Sequence, residues 1–170
     1  VLPRGTAGEL CTRGYSVMLG YWDDEEQTRA AIDDARWMHT GDLAVMDDAG
    51  YLNIAGRIKD VVIRGGENIY PREVEEFLYT HPEVSQVQVF GIPDHKYGEI
   101  VGAWIVPKPG THPTEEGIKA FCKDQIAYFK VPAVVRFKDS LPMTVTGKPQ
   151  KFVMRDAMVA ELGITVEKTA

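Results

Sequence analysis

Cysteine is scarce: Cys11 and Cys122 are the 2 thiols in 170 residues. Neither has a second thiol at CxxC or metal-ligand spacing, so both are expected to be reduced and partly buried, Cys11 in a strand and Cys122 in a helix. Long apolar runs are also missing. None approaches the roughly 18 residues that a membrane span requires, and the opening Val1-Leu2-Pro3-Arg4-Gly5 lacks the basic head and apolar middle of a signal peptide. The default reading is a soluble protein of the cytoplasm with no membrane span. An excess of positive charge is lacking as well, since 19 basic residues face 25 acidic ones for a net charge of -6. That balance argues against general nucleic-acid binding, which draws most of its affinity from basic surface. The histidines His39, His81, His95 and His112 show no pairing that suggests a metal site, so no metal ligand is expected and His39, beside Asp42, reads as structural.

What is present is a chain with 44% hydrophobic side chains, long enough for one ordinary core or for one small domain plus a piece of another. Gly8 to Thr12 reads as a strand, Asp23 to Ala31 as helix-prone, and Leu43 to Met46 and Tyr51 to Ala55 as a hairpin around Asp47-Asp48-Ala49-Gly50. These elements have few apolar positions. Residues 1 to about 57 are therefore expected to need packing partners from outside.

Beyond Gly56 the character changes. Val61 to Arg64 turns at Gly65-Gly66 and leads to a helix that Pro71 opens, with Val74, Phe77 and Leu78 on one face and Glu73, Glu75 and Glu76 near its positive end. Val84 to Ile92 and Ile100 to Val106 read as paired, half-buried strands. Thr114 caps a helix whose apolar stripe continues to Phe129, Val134 to Phe137 is a further strand, and a last helix begins near Pro149. The order implies a compact α+β domain over roughly 60 to 165.

Three stretches carry chemistry. In Trp37-Met38-His39-Thr40-Gly41-Asp42-Leu43 a carboxylate at the entrance to a strand offers two acceptor oxygens to the hydroxyls of a ribose, or simply closes a turn. In Gly56-Arg57-Ile58-Lys59-Asp60, a string joining the two halves, Arg57 suits a phosphate or ribose, or a solvated surface pair. In Leu141-Pro142-Met143-Thr144-Val145-Thr146-Gly147-Lys148-Pro149-Gln150-Lys151 a lysine stands between glycine and proline. That is no Walker loop, because Pro142 replaces its glycine and Pro149 its hydroxyl residue. The flanks suit a tight turn that projects Lys148 as a compact point charge, although a solvated lysine is the commoner case.

Taken together, Gly8-Glu9-Leu10, Gly20-Tyr21-Trp22, Thr40-Gly41-Asp42-Leu43, Gly56 to Asp60, Ile63-Arg64-Gly65-Gly66-Glu67-Asn68-Ile69-Tyr70-Pro71 and Thr146-Gly147-Lys148 resemble, in order and spacing, the adenylate-forming superfamily. Within it the chain is similar to medium-chain fatty acyl-CoA synthetases. The resemblance implies a β-rich end of a large adenylation domain over 1-58. A small C-terminal lid over 59-170 would follow, with a central, mainly antiparallel sheet and flanking helices.

It also implies the roles. Asp42 would hold the ATP ribose, Arg57 would assist at ribose and phosphate, and Lys148 would bridge the carboxylate substrate and the nucleotide as the catalytic cation. Lys59 falls at the hinge, where many members have aspartate. Gly65, Gly66 and Glu67, with Tyr97, Phe129 and Lys130, would lie along CoA. Magnesium is expected only as the companion of ATP, with no ligand in this stretch. The family's phosphate loop and acyl pocket would lie before Val1, so this piece is expected to be inactive without the N-terminal adenylation domain. Alternatives are an adenylating enzyme that hands its acyl group to a carrier protein, an oxidative luciferase-like enzyme, or a non-catalytic docking module.

Overall fold

The computed structural model describes residues 1–165, and the end of the expected lid, 166–170, lies outside the described residues. The chain forms two compact units, Val1–Lys59 and Asp60–Ala170.

The first unit is an antiparallel sheet in the order β1-β2-β3, with β1 at Gly8–Thr12, β2 at Met38–Met46 and β3 at Leu52–Arg57. A single helix, α1 at Glu25–Ala31, precedes β2; Asp24 caps it by accepting the Gln27 N–H at 2.9 Å. Of its hydrophobic residues only Ile32 and Ala44 are buried, while Tyr15, Leu19 and Trp22 lie open. Two sequence expectations shift here. Asp42 does not stand at the entrance to a strand but inside β2, because pairing of Met38 with Thr12 extends that strand backwards; and Arg57 is the last residue of β3 rather than part of a connecting string.

The second unit is built on a five-stranded sheet in which β4 (Val62–Arg64), β5 (Glu67–Ile69), β6 (Val84–Asp94) and β7 (Gly98–Pro107) follow the order β5-β4-β7-β6, and β8 (Val134–Phe137) runs parallel to β7. Residue parity decides which face each side chain takes. Val87, Val89, Val101, Ala103 and Ile105 bury with Val74 and Leu78 of α2 (Pro71–Leu78) and Ile118 and Cys122 of α3 (Glu115–Cys122). Phe90, Ile92 and Trp104 bury on the other face with Met154 and Met158 of α4 (Lys151–Glu161). The sheet is thus covered on both faces at its centre, where alternation alone suggested a half-buried one.

The third helix is shorter than its stripe implied. It ends at Cys122 because Asp124 takes a left-handed φ of 61°, a conformation that stops a helix. Ile126 and Phe129 still pack against the core, but from a loop and the short 3-10 turn Tyr128–Lys130.

Candidate functional site

Strand register makes Asp42 and Arg57 direct partners across β2 and β3. The Arg57 Nε–H donates to Asp42 Oδ1 at 2.9 Å, with the two side chains 52% and 33% exposed. Since the guanidinium engages through Nε alone, its terminal NH2 groups and Asp42 Oδ2 have no partner among the described residues. The pair presents donors and an acceptor side by side, a set suited to a sugar hydroxyl beside an anion. Gly41, at φ 72°, provides the left-handed step just before it.

Lys148 rides on a closed loop between β8 and α4. The Thr144 N–H donates to Lys148 O at 2.8 Å, the Lys148 N–H donates back to Thr144 Oγ1 at 3.0 Å, and the Gln150 N–H donates to Pro142 O at 2.9 Å. The Gly147 N–H closes the tip onto Thr144 O at 2.9 Å, and Gly147 takes φ 78°. These bonds hold the backbone in one shape while the side chain stays exposed; no carboxylate pairs with its ammonium among the described residues. Three residues on, Lys151 behaves oppositely. Its Nζ lies 2.7 Å from Glu75 Oε1, which also accepts the Val89 N–H at 2.8 Å. Glu75 is buried, and ties α4 to α2 and β6.

The glycine turn is compact for a local reason. Gly65 and Gly66 take φ of 58° and 88°, the double positive turn that matches the twist of a two-residue hairpin. The Gly65 N–H donates to Tyr97 O at 2.8 Å, and the Arg64 guanidinium lies over the Tyr97 ring at 4.3 Å. Asp94 orders that second loop: its Oδ1 accepts the N–H groups of Tyr97 and Lys96 at 2.8 and 2.9 Å. The Tyr97 hydrogen bond, above all, holds the Asp94 carboxyl below its usual value. Gly65, Gly66, Glu67 and Tyr97 are thereby gathered around one pair of turns. Phe129 and Lys130 are not joined to them by any hydrogen bond, ion pair or ring contact among the described residues. The Lys130 ammonium is instead neutralised by Glu73 at 2.6 Å. Lys59 is exposed and is the last residue of the first unit.

Sequence reasoning missed one further group. Glu9 and Cys11 on β1 face His39 on β2: His39 Nδ1 lies 2.7 Å from Glu9 Oε2 and 3.6 Å from Cys11 Sγ, with Asp33 Oδ2 at 3.8 Å from its Nε2. Partial burial and then the charges of Glu9 and Asp33 raise the Cys11 thiol pKa, and the Glu9 hydrogen bond raises that of His39. The residues are about thirty positions apart, and only strand pairing, with Cys11 opposite His39, unites them. The alternation of Glu9 with Cys11 was the available signal.

Residues 73–148 match the family described as the AMP-binding enzyme C-terminal domain. The chain is 56% identical over 156 residues to YngI of Bacillus subtilis, provisionally named an acyl-CoA synthetase, covering 92% of this chain and 28% of that protein. It is 51% identical over 159 residues to the mitochondrial medium-chain acyl-CoA ligase ACSF2 of Bos taurus, covering 94% of this chain and 26% of the relative. The solved structure of ATP-bound MatB from Rhodopseudomonas palustris superposes with a TM-score of 0.87 at 39% identity, over 92% of this chain and 31% of that one. The chain thus spans little more than a quarter of the curated relatives it matches.

Proposed function

We propose, for a chain that belongs to the adenylate-forming enzymes and carries their AMP-binding C-terminal domain, that it is the lid portion of an ATP-dependent acyl-CoA synthetase. The observation that carries this reading is the contrast between two neighbouring lysines. Lys151 is paired with Glu75, whereas Lys148 is held on a hydrogen-bonded loop with an exposed ammonium that has no carboxylate partner among the described residues.

In the first half-reaction a carboxylate oxygen bonds to the α-phosphorus of ATP, and the bond to pyrophosphate breaks as pyrophosphate leaves. Both reactants are anionic. A preorganised cation between them offsets that repulsion and the charge that grows on the phosphoryl oxygens, a contribution of about 10²- to 10³-fold in rate. Lys148 is assigned this role, with Asp42 and Arg57 holding the ribose and adjoining phosphate. In the second half-reaction the CoA thiol, having lost its proton, attacks the acyl carbonyl, and AMP leaves.

The ATP assignment is supported by the ATP-bound state of the similar MatB structure. For CoA, the support is steric: beyond Gly65 and Gly66 there is little side chain, so a narrow arm can lie against the turn. Glu67 and Tyr97 border it. Phe129 and Lys130 are proposed at the nucleotide end of CoA, where the existing Glu73 pair must open for Lys130 to meet a phosphate. Magnesium accompanies ATP in this scheme. Lys59, at the end of the first unit, is the proposed pivot between the two half-reactions. Two free thiols suit a reducing compartment, and the cytoplasm is proposed.

The test is Lys148→Ala in the complete enzyme, with the half-reactions assayed separately. Acyl-adenylate formation should fall by about 10²- to 10³-fold, while thioester formation from supplied acyl-adenylate persists. Equal loss of both steps would refute the assignment. Replacing CoA by a carrier-protein thiol or by an amine in the same assay separates a CoA ligase from enzymes that pass their adenylate elsewhere.

A further inference from the structure

We propose that Glu9, Cys11 and His39 form a binding site for a thiophilic divalent ion of the zinc type, with Asp33 as the carboxylate that orients the imidazole. This inference is independent of the adenylation chemistry, and the site lies wholly within the first unit.

The construction begins with the sheet. Cys11 and His39 are paired directly across β1 and β2, and a register irregularity between Glu9 and Cys11 lets Glu9 converge on the same ring. One carboxylate oxygen, one thiol sulfur and one imidazole nitrogen consequently lie within 4.8 Å of one another. With bonds of about 2.3 Å to sulfur and about 2.0 Å to nitrogen and oxygen, a tetrahedral zinc ion needs its ligands roughly 3.3 to 3.6 Å apart. Cys11 Sγ and His39 Nδ1 already stand at 3.6 Å. The 2.7 Å contact from His39 Nδ1 to Glu9 Oε2 is a hydrogen bond that has to widen by about half an ångström as the ion replaces the shared proton.

Each ligand is also held from behind. Glu9 Oε1 accepts the Gly41 N–H at 3.2 Å, leaving Oε2 to face the cluster. Asp33 Oδ1 accepts the Trp37 N–H at 2.8 Å, and its Oδ2 faces His39 Nε2. Metal-bound histidines regularly place a carboxylate on the ring nitrogen opposite the ion, which fixes the tautomer and raises ligand basicity. On loading, Nδ1 coordinates as a neutral imidazole while Nε2 keeps its proton toward Asp33, and the Cys11 thiol releases its proton to solvent. A thiolate and a carboxylate together neutralise the divalent charge. The side chains of His39 and Glu9 are 40% and 27% exposed, so the fourth position is open to water.

The donor set excludes the ion of nucleotide chemistry: magnesium demands oxygen ligands in an octahedron, whereas sulfur with imidazole selects zinc and its analogues. Because the Gly41 N–H binds the same Glu9 carboxylate, the ion would pin β1 to β2 one residue away from Asp42.

The test is titration of the complete enzyme with cobalt(II) chloride under a non-thiol reductant, read as the absorbance difference between the parent and its Cys11→Ser variant. We expect tetrahedral ligand-field bands and a thiolate-to-cobalt charge-transfer band that saturate at one equivalent. Zinc chloride should bleach them, and excess magnesium should leave them unchanged. Cys11→Ser should abolish the charge-transfer band, Cys122→Ala should retain it, and Asp33→Asn should weaken binding by about tenfold with the band shape kept. Circular dichroism of each variant guards against loss of fold. Absence of the charge-transfer band in the parent chain, its survival in Cys11→Ser, or its loss in a folded Cys122→Ala variant would each overturn the site.

Discussion

The Lys151 ammonium lies 2.7 Å from Glu75 Oε1, and that contact gives Lys151 a structural partner three residues from the exposed Lys148. With side chains only 19% and 12% exposed, the pair sits where an unmatched charge is costly. Lys151→Ala should therefore lower stability by roughly 2 kcal/mol, the scale of a charge-assisted hydrogen bond. Lys148→Ala, on an exposed side chain, should change it by less than about 0.5 kcal/mol. Urea unfolding of both variants checks this, and equal destabilisation would show that Lys148 is structural.

Asp42 and Arg57 form an exposed pair, so their mutual attraction contributes little to folding. Asp42→Asn should leave the unfolding midpoint nearly unchanged. In the complete enzyme the same change should weaken ATP binding by about 10- to 100-fold, the loss of one or two hydrogen bonds to a charged acceptor. Calorimetric titration with ATP measures it.

A pivot at Lys59 predicts unequal effects on the two half-reactions. Lys59→Pro restricts φ where a rotation is proposed, so thioester formation should slow by at least about tenfold while adenylation changes little. Single-turnover assays of each step resolve the two, and an unaltered thioester rate removes the hinge assignment.

Asp94 gives a pH dependence whose sign follows from its backbone hydrogen bonds. Its folded pKa lies below the ordinary aspartate value of 3.8, so the associated stability is present above that value and is lost as pH falls through the folded pKa. Asp94→Asn should flatten the acid limb of stability below about pH 4, and loosen the Tyr97 loop beside Gly65. Equilibrium unfolding across that window, compared with the parent chain, is the check; parallel curves would show that Asp94 does not titrate differently on folding.

The thiols should react in a fixed order. Burial pushes Cys122 up to about 11, and it is wholly enclosed by α3 and the sheet. Cys11 is partly exposed. At pH 8 iodoacetamide should modify Cys11 first, and Cys122 only after denaturant is added. Peptide mass mapping over time reads the order directly.

Sequence by itself determined where turns and helices begin. The glycine pair at 65 and 66 dictated a tight turn because it adopts positive φ cheaply, Pro71 and Thr114 set helix starts, and the Gly147-Lys148-Pro149 string marked a projecting cation. Tertiary structure decided what each charge does, because pairing depends on contacts between residues distant in the chain. Glu75 and Lys151 meet across 76 positions, Arg57 reaches Asp42 through strand register, and Glu9, Cys11 and His39 converge only when β1 and β2 align. Local spacing carries the energetics of helices and turns, whereas the partner of an exposed or buried ion is set by which surfaces the fold brings within a few ångströms.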